Sequence, residues 1–338
     1  MKAYRILHGG KIDGLQVEDV VERPLDPYEV RVAVKAVSLN YRDLMVAEGI
    51  YPMKVEIPVV PGSDGAGEVI EVGSMVTRVR PGDRVMASFF PQWLEGRADP
   101  TKIRSSLGGD IDGMLGQAVT LHEDALASIP QQLSYQEAST LPCAGVTAWN
   151  AIFEASNLRP GDSVLLLGTG GVSILGLQMA KAAGLRTIIT SSSDEKLERA
   201  RALGADQTIN YRALPEWHEE VLRRTDGRGV DLVLEVGGEG TITRSVASTA
   251  VGGTVAIIGG VSGFGGELNP FSLVTRANRM VGIFVGSRAM LEQAASFCAG
   301  SGIKPVIDRV FPFAQAKEAY RHLQSGAHFG KVVIDLTE

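Results

Sequence analysis

The 338-residue chain is predicted to be an α/β protein that combines a β-rich part with a doubly wound parallel sheet. Three observations predict this. From about residue 160 onward, short apolar runs alternate with amphipathic stretches closed by glycine, the pattern of βα units stacking into one parallel sheet. The first 140 or so residues instead carry short runs of alternating polarity cut by Pro-Gly turns. Finally, Leu165-Leu166-Leu167 breaks into Gly168-Thr169-Gly170-Gly171-Val172-Ser173 and then becomes helical, a strand–turn–helix that brings backbone N–H groups up to phosphates.

Taken in order, Val30 to Val37 is expected to be a strand, apolar at Val30, Val32, Val34 and Ala36, and Glu68 to Val72 another, with turns at Pro61-Gly62 and Pro81-Gly82-Asp83. Ser163 to Leu167 is nearly all apolar, as a strand buried on both faces must be. Val172, Leu175, Met179 and Ala183 then share one helical face, and Gly184 stops the helix. Thr187 to Thr190 is the second strand of this sheet, Asp194 to Ala202 a helix closed by Gly204, and Gln207 to Asn210 the third strand. Trp217 to Arg224 is a helix, Asp231 to Val236 a strand and Thr254 to Ile258 another. A ligand crevice belongs at the carboxyl ends of such strands, where Glu235-Val236-Gly237-Gly238 and Ile258-Gly259-Gly260 fall. Helices at Ala289 to Cys298 and Ala314 to Leu323 and a strand at Lys331 to Leu336 close the chain, giving two domains with an active site expected in the cleft.

A net charge of -6 without a dense basic run argues against nucleic acid as a partner. Cys143 and Cys298 cannot make a disulfide framework, which points to a reducing compartment. Met1 to His8 lacks the apolar core of a signal peptide and no window is apolar enough to span a membrane, so a cytoplasmic location is expected. His8, His122, His218, His322 and His328 show neither metal nor triad spacing.

Four segments in this order, Gly62-Ser63-Asp64-Gly65-Ala66-Gly67-Glu68-Val69, Pro81-Gly82-Asp83-Arg84-Val85, Leu141-Pro142-Cys143-Ala144-Gly145-Val146-Thr147-Ala148-Trp149 and the glycine loop, resemble the medium-chain dehydrogenase/reductase superfamily. The resemblance runs through nearly the whole chain to Phe329-Gly330-Lys331-Val332-Val333, and leans to the zinc-independent, alcohol dehydrogenase-like or quinone oxidoreductase-like branch. It implies a GroES-like catalytic domain over 1–143 and 286–338, a Rossmann NADP-binding domain over 144–285, and a homodimer joined along a last Rossmann strand at about Met280 to Val285. The loop is one residue shorter than the GASGGVG common in quinone reductases, and Ser173 stands where the third glycine usually sits, which should relax helix-to-strand contact.

Zinc-dependent relatives place metal ligands at the positions matching Asn40, Ser63 and Cys143, so one thiol remains of three ligands. Asp64 matches the Glu of the GHE motif, and Ser88 to Leu121 contains none of the four cysteines of a structural-zinc lobe. No metal is therefore expected, and Cys143 is expected to be a small buried residue.

Cofactor choice is read at the end of the second Rossmann strand, where an acid would grip the NAD ribose. Thr190-Ser191-Ser192-Ser193-Asp194-Glu195-Lys196 offers serines and a lysine there, which favours NADP(H), with NAD(H) as the alternative. Ser192 and Glu195 have capping-box spacing, so the serines also serve a helix start. The resemblance implies that Lys196 and Tyr211 meet the 2′-phosphate. The candidate cofactor contacts are Gly168, Thr169, Gly170, Gly171, Val172, Ser191, Ser192, Lys196, Tyr211, Val236, Gly237, Gly259, Val285, Phe329 and Lys331.

Without zinc, charge developing on a substrate oxygen must meet hydrogen-bond donors or a proton source. Asn40, Tyr51, Asp64 and Thr147 are the candidate catalytic residues, with Tyr41, Asp43 and Ser63 nearby, and Asp43 equally suited to pairing with Arg42 or capping a helix near Leu44. The stretch from Phe89-Phe90-Pro91-Gln92-Trp93-Leu94 to Ile111-Asp112-Gly113-Met114 is expected to wall a hydrophobic pocket or form a surface lobe, with Gly108-Gly109 allowing movement. The activity implied is NADPH-dependent hydride transfer to an enone, quinone or aldehyde. The alternatives are an alcohol dehydrogenase acting oxidatively and a non-catalytic NADPH-binding redox sensor.

Overall fold

Alternating polarity turns the first segments into antiparallel strands. In the computed structural model, which describes residues 1–7, 11–265 and 267–337 and so leaves His8 outside, β1 (Lys2–Ile6) pairs with β2 (Leu15–Asp19). The strand β3 (Glu29–Leu39) buries Val30, Val32, Val34 and Ala36 on one face. Helix α1 (Tyr41–Glu48) follows, then β4 (Asp64–Val72), antiparallel to β3. β5 (Arg84–Ala87), β6 (Ala118–His122) and β7 (Leu126–Ser128) extend the same sheet, and α2 (Tyr135–Ser139) comes next. Gly67 lets β4 approach β3: a Cβ there would lie 2.2 Å from the Ala33 carbonyl oxygen.

Residues 141–154 wind as two π-helical turns, Leu141–Gly145 and Asn150–Glu154, on either side of α3 (Val146–Trp149). Beyond them, β8 (Ser163–Leu166), α4 (Gly171–Ala182), β9 (Arg186–Ser191), α5 (Asp194–Ala202), β10 (Gln207–Asn210), α6 (Trp217–Arg224) and β11 (Val230–Glu235) alternate without exception. α7 (Ile242–Ser248), β12 (Thr249–Ile257), α8 (Phe271–Val274) and β13 (Arg279–Gly282) follow. The strands are parallel in the order β10-β9-β8-β11-β12-β13, the doubly wound arrangement the glycine-bracketed runs predict, with its switch point between β8 and β11. Its core gathers Leu165, Ile188, Val233 and Val255 around Trp217 and Val221.

The chain then returns with α9 (Arg288–Gly300), β14 (Ile307–Pro312), α10 (Ala316–Gln324) and β15 (Lys331–Asp335). β15 runs parallel to β14 and antiparallel to β3 with Val332 opposite Leu39, which carries Lys331 to the end of β3, beside Asn40.

Two compact units result, Met1–Val146 with Gly286–Glu338 and Thr147–Val285. The first crossing lies at Val146 rather than at 143, because the turn Leu141–Gly145 packs on α9 and β4. Two strands differ from expectation. β12 starts at Thr249 rather than Thr254, since Thr249 pairs with Val230 and Gly252, at φ 78°, absorbs the irregularity that reads as a break. β13 ends at Gly282 rather than Val285, and Val285 takes φ 56°, a left-handed conformation that a β-branched residue pays for in strain and that ends the extended run.

Gly67→Ala should force β3 and β4 apart and destabilise the first unit by about 1–3 kcal/mol. Urea unfolding measures this, and an unchanged midpoint would mean the strand spacing does not depend on the glycine.

Candidate active site

Two sets of residues stand out, one in each unit. In the second unit, Gly168 takes φ 72° with no atom within 4 Å of the position a Cβ would occupy, so the turn leaving β8 is left-handed and open. α4 starts at Gly171, and its first N–H groups, which by helix geometry lack intrahelical acceptors, make the kind of helix start that suits an anion. Gly176 sets the close approach of helix and sheet: a Cβ there would sit 3.0 Å from both Leu166 Cδ2 and Leu234 Cδ2. Ser173 does not loosen that contact. It is buried and its hydroxyl donates to the Leu167 carbonyl at 2.6 Å, tying the helix to the strand.

The other candidate cofactor residues of this unit fall mainly at the carboxyl ends of its strands. Ser191 ends β9 and accepts at its hydroxyl from the Ser193 N–H, while its carbonyl accepts from the Tyr211 N–H at 3.0 Å. The N-cap of α5 is Ser193, which accepts from the Lys196 N–H, and not Ser192, whose capping-box spacing is one residue early. Tyr211 is exposed after β10, and the carboxylate of Asp194 accepts from Asn210 Nδ2 at 2.8 Å. Val236 and Gly237 follow β11 on a loop folded around the buried Glu235, which accepts from the Gly237 and Gly238 N–H groups and the Thr241 hydroxyl. Gly259 follows β12. Thr147 is buried in α3, and the Val285 carbonyl accepts from Asn150 Nδ2 at 2.8 Å.

The first unit holds a buried polar cluster. Asn40 ends the run of β3 and opens α1, where Asp43 Oδ2 accepts the Asn40 N–H at 2.8 Å and Asp43 Oδ1 the Ser63 N–H at 3.2 Å. Asp43 is thus a helix cap, with Arg42 3.8 Å away. Asn40 Nδ2 lies 3.4 Å from Ser63 Oγ, which donates to Asp64 Oδ1 at 2.8 Å, and Asp64 Oδ2 accepts from the Cys143 N–H at 3.0 Å. Lys331 Nζ donates to the Leu39 carbonyl at 2.7 Å and to Asn40 Oδ1. Asp43, Ser63 and Asp64 are fully buried and Lys331 nearly so. Burial raises the Asp64 pKa to about 6, opposed by Lys331 and reinforced by Asp43. Burial also raises the Asp43 pKa against the pull of Arg42, and lowers that of Lys331 against Asp64, Cys143 and Asp43. Cys143 is half-buried rather than fully buried, and desolvation together with the neighbouring Asp64 pushes its thiol pKa well up.

Several residues have surroundings that the sequence does not show. Lys331 has its ammonium committed inside this cluster, and the Phe329 side chain is buried in the same unit. Tyr51 lies over the Arg42 guanidinium, 5.2 Å from ring to Cζ, with its hydroxyl 3.6 Å from Met53 Sδ. Phe89, Phe90, Trp93, Leu107 and Met114 are core residues rather than an open pocket wall. Gly108 and Gly109 are closely packed, since Cβ atoms there would meet Gly62 N at 2.8 Å and Arg42 Nη2 at 2.2 Å. Arg42, which the sequence offers only as a partner for Asp43, pins this stretch by donating to the Leu107 carbonyl at 2.7 Å and Ser106 Oγ at 2.8 Å. The signal for Lys331 was present: a lysine between glycine and a buried apolar strand is rarely tolerated unpaired.

The fold converges the positions that match a zinc site, and their chemistry does not fit the metal. Asn40 spends its carbonyl on an ammonium, Ser63 donates to a carboxylate, and Lys331 already supplies positive charge. Among the described residues, no group of three or more His, Cys, Asp or Glu is arranged to hold a metal ion, and no helix is long and apolar enough to cross a membrane.

Residues 26–131 match the family model of the alcohol dehydrogenase GroES-like domain and residues 171–300 that of the zinc-binding dehydrogenases. The chain is 45% identical over 331 residues to a zinc-type alcohol dehydrogenase-like protein of Schizosaccharomyces pombe, covering 96% of each. It is 28% identical to quinone oxidoreductase-like protein 2 of Bos taurus, over 95% of this chain and 89% of that one. A solved NAD-dependent alcohol dehydrogenase superposes with a TM-score of 0.91 at 36% identity, covering 99% of this chain and 100% of that one.

Because native Asp64 holds its proton up to about pH 6 while an unfolded carboxyl releases it earlier, the folded state binds more protons in that window. The contribution of Asp64 to stability should be greatest below the ordinary carboxylate range and fall as pH rises through about 6. Asp64→Asn should flatten the fall, measured by urea unfolding at about pH 4.5 and about pH 6.5; an unaltered slope would place the ionisation on another group.

Proposed function

The chain belongs to the zinc-type alcohol dehydrogenase-like branch of the medium-chain dehydrogenase/reductase superfamily, and we propose that it is a zinc-independent, NADPH-preferring reductase of an enone, quinone or aldehyde. That it is an NAD(P)H-dependent oxidoreductase follows from its homologues. The observation that carries the finer reading is the chain Asn40–Ser63–Asp64, hydrogen-bond donors and a raised carboxyl at positions where zinc-dependent relatives bind their metal.

A nicotinamide cofactor supplies a hydride, two electrons with one proton, to the substrate carbon. The protein must then stabilise the electron pair left on oxygen and deliver one further proton. Asn40 Nδ2 is the donor for that oxygen, and a preorganised donor in a buried setting is worth far more than one in water. Asp64, its pKa raised by burial to about 6, is the proton store in this reading: Ser63 Oγ, at 2.8 Å from Asp64 Oδ1, takes the proton of the protonated carboxyl as it passes its own hydroxyl proton to the substrate oxygen, leaving Asp64 ionised to be reprotonated from solvent. Reduction therefore needs no Lewis acid. Tyr51 and Thr147 take lesser roles: Tyr51 lines the approach beside Arg42, and Thr147 is a nicotinamide contact by family resemblance.

The preference for NADPH rests on the end of β9, where Ser191, Ser192 and Lys196 take the place of an acid and Asp194 is engaged by Asn210. Gly168 to Val172 hold the pyrophosphate in this reading, with Val236, Gly237, Gly259 and Val285 along the rest of the cofactor and Tyr211 at the 2′-phosphate.

Stopped-flow traces of NADPH-loaded protein against an enone, a quinone and an aldehyde should show cofactor oxidation by at least one in protein free of zinc by elemental analysis. Oxidation by none of them removes the reductase reading, leaving an oxidative alcohol dehydrogenase or a silent cofactor-binding protein. One tightly held zinc per chain removes the metal-free reading. Lys196→Ala should raise the Kd for NADPH about tenfold, the scale of roughly 1.4 kcal/mol, with little change for NADH. Equal losses for both would make the lysine a surface charge only.

A further inference from the structure

The ammonium of Lys331 is in an unusual place for a lysine. It is buried, and among the described residues no carboxylate lies within 4 Å of it; its hydrogen bonds go to the Leu39 carbonyl and to Asn40 Oδ1. A carbonyl oxygen accepts from an ammonium and an amide NH2 cannot, so this contact settles which end of the Asn40 side chain faces the lysine. The NH2 is turned the other way, toward Ser63 Oγ. A free asparagine amide chooses between the two orientations by small energy differences, and the wrong one would present a lone pair to a substrate oxygen. The register that sets Val332 opposite Leu39 fixes Lys331 in place, and the β3–α1 junction fixes Asn40.

We propose that Lys331 is a positioning residue, whose ammonium locks the Asn40 amide so that Nδ2 rather than Oδ1 is offered to the substrate oxygen. The inference rests on the reductase reading of the same site, in which Asn40 is the donor. It also accounts for a burial that is otherwise costly, because an ammonium taken out of water must be repaid by the groups around it. Asp64 and Asp43 supply the compensating charge nearby, and their attraction works against the effect of burial on the lysine. Lys331 is thus a fixed part of the donor array rather than a proton donor: it releases no proton in the cycle, and the proton consumed in reduction comes from Asp64 through Ser63.

The test compares Lys331→Met, which fills the space without a donor, with Lys331→Gln, whose amide NH2 still donates to Asn40 Oδ1. Asn40→Ala is expected to lower kcat about 100-fold, the scale for one donor at a developing oxyanion. Lys331→Met should lower kcat by a similar factor with KM little changed, and Lys331→Gln should recover most of it. The double variant Asn40→Ala/Lys331→Met should be no slower than Asn40→Ala alone, because both remove one unit. Losses that multiply in the double variant, or Lys331→Gln as slow as Lys331→Met, would overturn the proposal. A weakened Kd for NADPH in Lys331→Met, with kcat unchanged, would overturn it in favour of a cofactor contact.

A second readout needs no substrate. With selective 15N-asparagine labelling, the Asn40 Nδ2 protons should exchange slowly with solvent in the parent protein and in Lys331→Gln, and rapidly in Lys331→Met. Equal exchange rates in all three, in variants with parent-like circular dichroism and melting, would overturn the positioning role even if no substrate of the panel is turned over. Failure of the panel alone, with the exchange pattern as expected, would count against the reductase reading and not against the lock.

Discussion

The constraint on which the first unit depends is the burial of Asp43, Asp64 and Lys331 together. A charge removed from water costs several kcal/mol unless it is hydrogen-bonded and compensated, and here each is served by a different stretch of chain. Asp43 accepts from the backbone N–H groups of Asn40 and Ser63, Asp64 accepts from the Ser63 hydroxyl and the Cys143 N–H, and Lys331 donates to the carbonyl that ends β3. The helix start at Asn40, the entry to β4, the π-helical turn at Cys143 and the last strand are therefore stitched to one point. A segment that shifted would leave a buried charge unpaired, so the cluster specifies the local arrangement as well as offering chemistry.

The second unit solves a different problem with backbone alone. Its cradle needs an open left-handed turn at Gly168 and a helix that begins immediately after it, and nothing but glycine meets the first requirement without strain. The remaining glycine of the fingerprint is dispensable, because Gly176 supplies the close packing of helix on strand and the Ser173 hydroxyl satisfies the Leu167 carbonyl. A serine that satisfies a carbonyl at 2.6 Å is a tie, where the sequence suggested a loosening.

The doubly wound sheet was legible in the sequence because its strands are buried on both faces and its glycines mark the turns; the helices Asp194–Ala202 and Trp217–Arg224 fall where the periodicity puts them. β12 was partly missed because Gly252 and Gly253 read as a break, while the pairing of Thr249 with Val230 lies on another strand. The stretch from Phe89 to Met114 was misread for a related reason. Aromatics beside glycines suit an open pocket or a packed core equally well, and only the burial of Phe89 and Phe90 against their neighbours, with Arg42 filling the space at Gly109, decides for the core.

What the sequence determined by itself is the class of the protein: the βα repeat, the glycine turn and the loss of zinc ligands are local properties, each visible in a few adjacent residues. What only the tertiary structure decided is which residues meet at those positions. Asn40, the Ser63-Asp64 pair, Cys143 and Lys331 come from separate stretches of the chain, and the pKa shifts of Asp64 and Lys331 come from desolvation and from neighbouring charges. Those forces act through space, so no window along the sequence carries them, and Lys331 became part of the site only when β15 came to lie along β3.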